Sequence, residues 1–253
     1  MRQLLSGSSG PSDADLSDAD LVKRYLPAKP RQPWLRANFV ASADGAATLA
    51  GRSEGLSGAP DKRVFGLLRM ICDVLLVGAG TLREESYRAV RLGQRRRQWR
   101  QEAGLPEQPV LAVVSSRLAL EPEHPALADA PNRPIVITHR GSSVSQRDRL
   151  ARVADVLVLG DAEVDLAAAR DALADRGLPQ ILCEGGPHLL GSLLAADLVD
   201  ELCLTLAPLL AGPGADRIAA GPMSPPRQLE LAHVLESEGN LMLRYLRAAQ
   251  RAD

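Results

Sequence analysis

What most constrains this chain is a series of short, uninterrupted apolar runs, each closed by a turn residue and most followed by a helical pattern. They are "CDVLLVGAG" (72–80), "PVLAVVSS" (109–116), "RPIVITHR" (133–140), "DVLVLG" (155–160) and "PQILCEGG" (179–186). A strand with one wet face alternates polar and apolar residues. These runs do not, so they read as strands covered on both faces, which means a largely parallel sheet. The segments between them carry helical spacing, in "PDKRVFGLLRMI", "SVSQRDRLARVA", "DLAAARDALADRG" and "GPHLLGSLLAA". Earlier and later strands are expected at "WLRANFVAS" and "VDELCLTLAP". The last two apolar runs, "PRQLELAHVLES" and "LMLRYLRA", flank Glu238-Gly239-Asn240 and predict an antiparallel hairpin. The fold expected is α/β with three layers: a mostly parallel central sheet, helices on both faces, and an antiparallel C-terminal hairpin. Residues 1–30, rich in Ser, Asp, Gly and Pro, are expected to be an extension with a short helix around Asp18 to Tyr25, and 31–249 a single domain. The polar stretch 83–108 is ambiguous, and 208–228 reads as a loop between strands.

Charge and cysteine usage narrow the function. The formal net charge of −1 argues against a general nucleic-acid binder, because that affinity rests on clustered excess positive charge. Cys72, Cys183 and Cys203 form no CxxC pair and leave an odd count, so neither a disulfide framework nor a zinc knuckle is suggested, and a cytoplasmic setting is expected. No segment approaches the roughly 20 apolar residues of a membrane span. His124, His139, His188 and His233 have no metal-ligand spacing, so no metal site is expected.

In an open α/β sheet, ligands gather beyond the carboxyl ends of the strands. Three such ends are unusual here. In "LLVGAGTLREE", Gly78 and Gly80 allow close approach of backbone to a ligand, and Thr81 offers a hydroxyl and an amide suited to phosphate oxygens. The third glycine of a dinucleotide fingerprint is missing, since Arg83 stands in its place, and a plain glycine turn is the alternative. "GPHLLGSL" mimics a P-loop without its lysine, which argues against nucleotide hydrolysis, yet Pro187 suits a first helical turn and the amides after Gly186 point a dipole end above the sheet. Glu184 is then placed either on a second ligand or on backbone amides at the helix start. In "NFVASADGAATLAGRSEGLS", Asp44-Gly45 is a strong turn signal, Ser42, Ser53 and Ser57 supply hydroxyls, and Asn38 sits mid-strand, paired in the core or aimed at a ligand. The arginines from Arg83 to Arg100 read first as a solvated helix face, with one or two near the glycine turn able to neutralise a phosphate.

Taken together, Ala41-Ser42-Ala43-Asp44-Gly45, Leu68-Arg69 with Asp73 and Val77-Gly78-Ala79-Gly80-Thr81, Glu184-Gly185-Gly186, and Asp200-Glu201-Leu202-Cys203-Leu204 with Ala207-Pro208 stand in one order across the chain. From about Trp34 to Leu246 it resembles the reductase domain of bacterial riboflavin biosynthesis, the C-terminal domain family of the bifunctional deaminase-reductase, in the form of a stand-alone actinobacterial-type pyrimidine reductase. That resemblance implies a dihydrofolate reductase-like fold and NADPH-dependent reduction of a ribosylaminopyrimidine phosphate, 5-amino-6-(5-phosphoribosylamino)uracil, by a homodimer. It implies that Val40, Gly78, Gly80, Thr81, Glu85, Ser115, Ser116, Gly185, Gly186, Pro187, His188 and Leu189 hold NADPH. Ser42, Ser53, Arg69, Arg91 and Glu184 are implied for the substrate, with Asn38, Asp44 and Glu184 at the reaction centre. The sequence departs from the family pattern in two places: Asn38 stands where a lysine is usual, and Glu85-Ser86-Tyr87 where Asp-Asp-Pro is usual. No His-x-Glu pairs with a Pro-Cys-x-x-Cys, so the deamination step is not expected here. Reduction of a dihydrofolate or dihydropterin, which also presents an amino-pyrimidine edge, and non-catalytic binding of NADPH or a pyrimidine are the alternatives.

Overall fold

The protein's computed structural model describes residues 1–6, 15–27, 31–85, 87–221 and 225–248. Ser86, parts of the expected N-terminal extension (7–14 and 28–30) and the expected last domain residue, 249, lie outside them. In chain order the elements are β1 (Arg2–Ser6), α1 (Asp18–Tyr25), β2 (Trp34–Ser42), α2 (Ala59–Ile71), β3 (Val74–Gly78), α3 (Ala79–Glu84), α4 (Gln94–Glu102), β4 (Val110–Val114), α5 (Pro125–Ala128), β5 (Ile135–Thr138), α6 (Val144–Leu150), β6 (Asp155–Val158), α7 (Leu166–Asp175), β7 (Gln180–Cys183), α8 (Pro187–Ala195), β8 (Glu201–Ala207), β9 (Leu229–Ser237) and β10 (Asn240–Arg247).

All ten strands form one sheet in the order β1-β9-β10-β8-β2-β7-β3-β4-β5-β6. From β8 to β6 every pairing is parallel, and β10, β9 and β1 extend the sheet antiparallel. The uninterrupted apolar runs have the expected cause. Along β3, Leu75 and Val77 enter one core while Val74 and Leu76 enter the other, and β4, β5 and β7 alternate in the same way. The first core lies under α1, α2, α5 and α6, the second under α7 and α8, so the molecule has three layers.

Two expectations are revised. Parts of the N-terminal extension are integral: Arg2–Ser6 pairs with His233–Glu236 of β9, and α1 buries Leu21 and Tyr25 completely or nearly so. Helix α1 is recognisable from its capping box, in which the Ser17 hydroxyl accepts from the Asp20 amide at 3.2 Å and Asp20 accepts in return from the Ser17 amide at 3.1 Å. The arginine-rich stretch is not a uniformly solvated face either. Arg100 is fully buried and its guanidinium donates to the carbonyls of Met70 (2.9 Å), Cys72 (2.5 Å) and Pro106 (2.6 Å), closing the C-terminal end of α2.

The Asp200-Glu201 pair locks the antiparallel half to the parallel half. Asp200 accepts from the Leu35 amide at 2.8 Å. Glu201, fully buried, accepts from Trp34 Nε1 at 2.9 Å, from Arg36 at 2.7 and 3.1 Å and from Arg244 at 2.7 and 3.1 Å. Burial alone would raise its carboxyl, but Arg36 and Arg244 outweigh that and bring it down to about 2.

Candidate active site

The parallel strands end together, and the turns that follow them dock on one another. The Gly78 amide donates to the Gly185 carbonyl at 2.7 Å, joining the end of β3 to the turn after β7. The Glu184 amide donates to Leu76 O at 3.0 Å. Thr81, in the first turn of α3, lies against this junction: a Cβ at Gly186 would stand 2.9 Å from Thr81 Oγ1. A side chain there would force the Thr81 hydroxyl to move, and Gly185, with φ +114° and Phe39 packed over it, adopts backbone that side chains avoid. The Gly185-Gly186 peptide is cis. Gly186 is the N-cap of α8 and Pro187 occupies its first turn, so the amides of His188 and Leu189 have no acceptor inside the helix. Farther along α8, Gly191 admits the Ala220 carbonyl of the following loop, which a Cβ there would meet at 2.0 Å.

Strand parity divides the residues of "CEGG". Cys183 faces the α7/α8 core and Leu182 the α2 core, so Glu184 falls on the α2 side and Gly185 on the α8 side. On the α2 side Glu184 meets Arg69 in a two-pronged pair, Nε to Oε1 at 2.6 Å and Nη2 to Oε2 at 2.7 Å, and Oε2 also accepts from the Tyr87 hydroxyl at 2.6 Å. The Glu184 side chain is only 2% exposed. Arg69 lies 4.1 Å over the Phe65 ring and donates from Nη2 to Tyr87 Oη at 3.2 Å. Burial, then the neighbouring Glu184 charge, pushes the Tyr87 hydroxyl well above its ordinary range, so it stays protonated as a donor. The register Ala37↔Cys183 places Asn38, one residue on, beside Glu184 on the same face. A cavity of about 300 Å³ opens here, lined by Arg69, Tyr87, Arg88, Ala89, Val90 and Arg91.

The remaining sequence-predicted residues fall into two groups. Ser115 and Ser116 follow β4 at the same edge of the sheet, Ser115 buried and Ser116 exposed. Glu85 and Ser53 are together, the Ser53 amide donating to Glu85 Oε1 at 2.9 Å, so the loop after β2 is tied to α3. Asp44 is used as a tether: its oxygens accept from the Ser42 hydroxyl and from the amides of Ala211 (3.0 Å) and Gly212 (2.8 Å), which hold its carboxyl down at about 2. It joins the loops after β2 and β8. Arg91 is exposed and donates to Asp129 O at 2.7 Å. Val40 packs with Leu56 and Ala207. Sequence reasoning missed Tyr87, whose only signal was its departure from the family tripeptide, and did not foresee that Glu184 accepts from Arg69 and Tyr87.

A second hollow, of about 280 Å³, lies between α8, β8 and β10 and is lined chiefly by Leu190, Leu194, Val199, Leu202 and Leu229. Its charged residues, Asp197, Arg227 and Arg247, are already paired with one another, so no polar groups converge on it as they do around Glu184. Among the described residues no group of three or more His, Cys, Asp and Glu stands close enough to hold a metal, and no helix is long and apolar enough to cross a membrane.

Comparison with known proteins agrees with this geometry. Over 182 residues, 72% of this chain and 83% of the relative, the sequence is 29% identical to the 2,5-diamino-6-ribosylamino-4(3H)-pyrimidinone 5′-phosphate reductase of Archaeoglobus fulgidus. The crystal structure of a pyrimidine reductase-like protein from Corynebacterium diphtheriae superposes with a TM-score of 0.83 at 29% identity, covering 93% of this chain and all of that one. Dihydrofolate reductase from Enterococcus faecalis, solved with NADP(H), shares the fold at a TM-score of 0.51 and 14% identity over 86% of this chain and 98% of that one. The strand-end turns, the Glu184 cluster and the Asp200-Glu201 pair all lie within residues 33–243, the stretch matched by the RibD C-terminal domain family, and the chain belongs to that family.

Proposed function

We propose that this protein is an NADPH-dependent reductase of riboflavin biosynthesis whose substrate is 5-amino-6-(5-phosphoribosylamino)uracil. The observation that carries this reading is the seam at Glu184-Gly185-Gly186, where a glycine cradle with free helix amides lies on one side of the sheet and a basic pocket on the other. The cradle fits a dinucleotide diphosphate. Gly78, Gly185 and Gly186 keep the surface low, Thr81 offers a hydroxyl, and the amides of His188 and Leu189 supply donors at the positive end of α8. Ser115 and Ser116, at the neighbouring strand end, serve the far half of the cofactor, and Gly80, Pro187, Val40 and Glu85 shape the walls. NADPH, when bound, supplies the hydride.

The protein's own work is placement. Arg69, Arg88 and Arg91 neutralise a phosphorylated substrate in the 300 Å³ cavity, and Glu184, itself buried, fixes Arg69 and Tyr87 in their positions. Asn38 lies beside this cluster as a neutral amide, able to donate and accept at the reacting sugar. Ser42 and Asp44 act through the loop they tether, and Ser53 through its link to Glu85.

We further propose a cytoplasmic homodimer. Leu229 and Leu231 of β9 are 40% and 39% exposed, which favours pairing through a face of the hairpin. Edge pairing along His233–Glu236 is closed off, because β1 occupies that edge. Thermal unfolding with NADPH, NADH and neither tests the cofactor assignment: preferential stabilisation by NADPH is expected, and no stabilisation by either dinucleotide contradicts it. Binding of NADPH without its oxidation by the aminouracil, the diaminopyrimidinone or a dihydropterin would favour the non-catalytic alternative.

A further inference from the structure

The loop after β8, described over residues 208–221, is fastened at both ends to elements that border the seam. Its first part is held by the loop after β2. The Ala43 amide donates to Leu209 O at 2.9 Å, the Ala47 amide donates to Asp216 O at 2.7 Å, and Asp44 accepts from the amides of Ala211 and Gly212 at 3.0 and 2.8 Å. Its far part is held on α8. Ile218 and Ala219 pack into the α7/α8 core, and the Ala220 amide donates to Pro187 O at 3.0 Å. Pro187 and Gly191 are one turn apart on α8 and share a face. On that face a Cβ at Gly191 would stand 2.0 Å from the Ala220 oxygen and 2.9 Å from its carbonyl carbon, both backbone atoms that cannot turn aside as a side-chain tip can.

These contacts make a continuous path from Asp44 to the first turn of α8. Pro187 begins that helix, and the amides of His188 and Leu189 just after it are the donors of the cradle. Anion binding at a helix start requires those amides aimed at one point, so whatever fixes the first turn fixes the site. Thr81 lies against it from α3, and Ala220 holds it from the loop. The exposed middle of the loop, residues 212–217, contains Gly212, Pro213 and Gly214 and no large apolar side chain, so its course is set by the hydrogen bonds at its ends. We propose that Asp44 is a positioning residue for the cofactor: by holding the amides of Ala211 and Gly212 it sets the loop, and the loop, through Ala220 on Pro187 and Gly191, sets the helix start that receives the dinucleotide diphosphate. This rests on the NADPH-dependent reductase reading and gives the Asp44 tether a definite target, cofactor affinity, in place of the reacting sugar.

The test is calorimetric titration of NADPH and, separately, of 5-amino-6-(5-phosphoribosylamino)uracil into the full chain, for the wild type, Asp44→Ala, Gly191→Ala and the double variant. Each single variant is expected to weaken NADPH by about tenfold and to leave pyrimidine binding within about twofold of the wild type. Because both changes act on one path, the double variant should bind NADPH no more weakly than the weaker single variant, whereas independent effects would multiply. In steady-state turnover Asp44→Ala should raise the KM for NADPH and keep kcat at saturating cofactor. A carboxylate acting at the reacting sugar gives the opposite split, a lowered kcat with unchanged NADPH affinity. That opposite split, or fully multiplicative losses in the double variant, overturns the proposal. If Gly191→Ala does not fold, Asp44→Ala decides alone, and unchanged NADPH affinity in that folded variant overturns it. NADPH binding that shows the coupling without reduction of any pyrimidine leaves the Asp44 assignment standing and removes the reductase, whereas a wild type that binds no NADPH removes both.

Discussion

Replacing Glu201 by glutamine tests the lock that holds β2, which carries Asn38 and Val40, against β8 and β10. The substitution keeps the shape and removes the charge. Glu201 is fully buried and takes five hydrogen bonds from Trp34, Arg36 and Arg244, so Glu201→Gln leaves two guanidinium groups facing a neutral amide with one acceptor oxygen. Breaking a buried pair by neutralising one partner costs about 3–5 kcal/mol. A second route gives a similar size: a carboxyl brought from 4.5 to about 2 in the folded state corresponds to about 3 kcal/mol of stability. The sign is fixed by the direction of that shift. A depressed carboxyl contributes fully above about pH 4.5 and loses its contribution as pH falls towards about 2. Urea unfolding followed by far-UV circular dichroism should therefore show the variant about 3 kcal/mol less stable near neutral pH, with the gap narrowing below about pH 4.5. A loss under about 1 kcal/mol, or a gap independent of pH, would refute the claim that this carboxylate is the charged centre of the lock.

Other perturbations reach other parts of the structure. Gly186→Ala brings a Cβ to 2.9 Å from Thr81 Oγ1 and should weaken NADPH binding by about tenfold or more while leaving pyrimidine binding nearly unchanged; equal loss of both in titrations would contradict the division of the site. His233 is buried with Nε2 unpartnered, and burial followed by the Arg244 charge lowers it to about 4. Since the unfolded chain takes up its proton first, stability is complete above about pH 6.5 and falls by up to about 3 kcal/mol as pH drops towards 4, and His233→Gln should flatten that part of the acid-unfolding curve. Arg100→Met leaves the carbonyls of Met70, Cys72 and Pro106 without their donor in a buried position and should cost about 2–4 kcal/mol in urea, against a change within about 0.5 kcal/mol for exposed Arg95→Met.

The parallel half of the sheet was legible because burial on both faces leaves a mark that survives in one dimension: unbroken apolar runs ending in turn residues. The antiparallel end was only half legible. The hairpin showed as two strands around Glu238-Gly239-Asn240, but "RQLLS" is too short and polar to announce that it pairs with β9. Its partner lies more than 200 residues away, and local pattern holds no information about pairing at that distance. At the strand ends, the glycines drew notice in the sequence because close approach favours them, and Gly186 does lie close against Thr81. The partners of Glu184 could not, since Arg69 reaches it from α2 and Tyr87 from the loop after α3, and nothing in "CEGG" distinguishes a carboxylate offered to a ligand from one already bound. The partners of Asp44 were hidden for a related reason: a turn signal with a carboxylate does not announce that its oxygens hold the amides of Ala211 and Gly212, some 167 residues on.

The central claim, hydride transfer from NADPH to a ribosylaminopyrimidine phosphate at the Glu184-Gly185-Gly186 seam, is tested most directly by absorbance at ~340 nm in a single-turnover mixture of protein, NADPH and 5-amino-6-(5-phosphoribosylamino)uracil, the wavelength at which the reduced nicotinamide absorbs. One equivalent of NADPH should be lost with formation of the ribityl product, and that loss should be nearly abolished when Arg69→Met uncouples the guanidinium from Glu184. Undiminished NADPH with the wild type, under conditions where calorimetry shows both ligands bound, would contradict it.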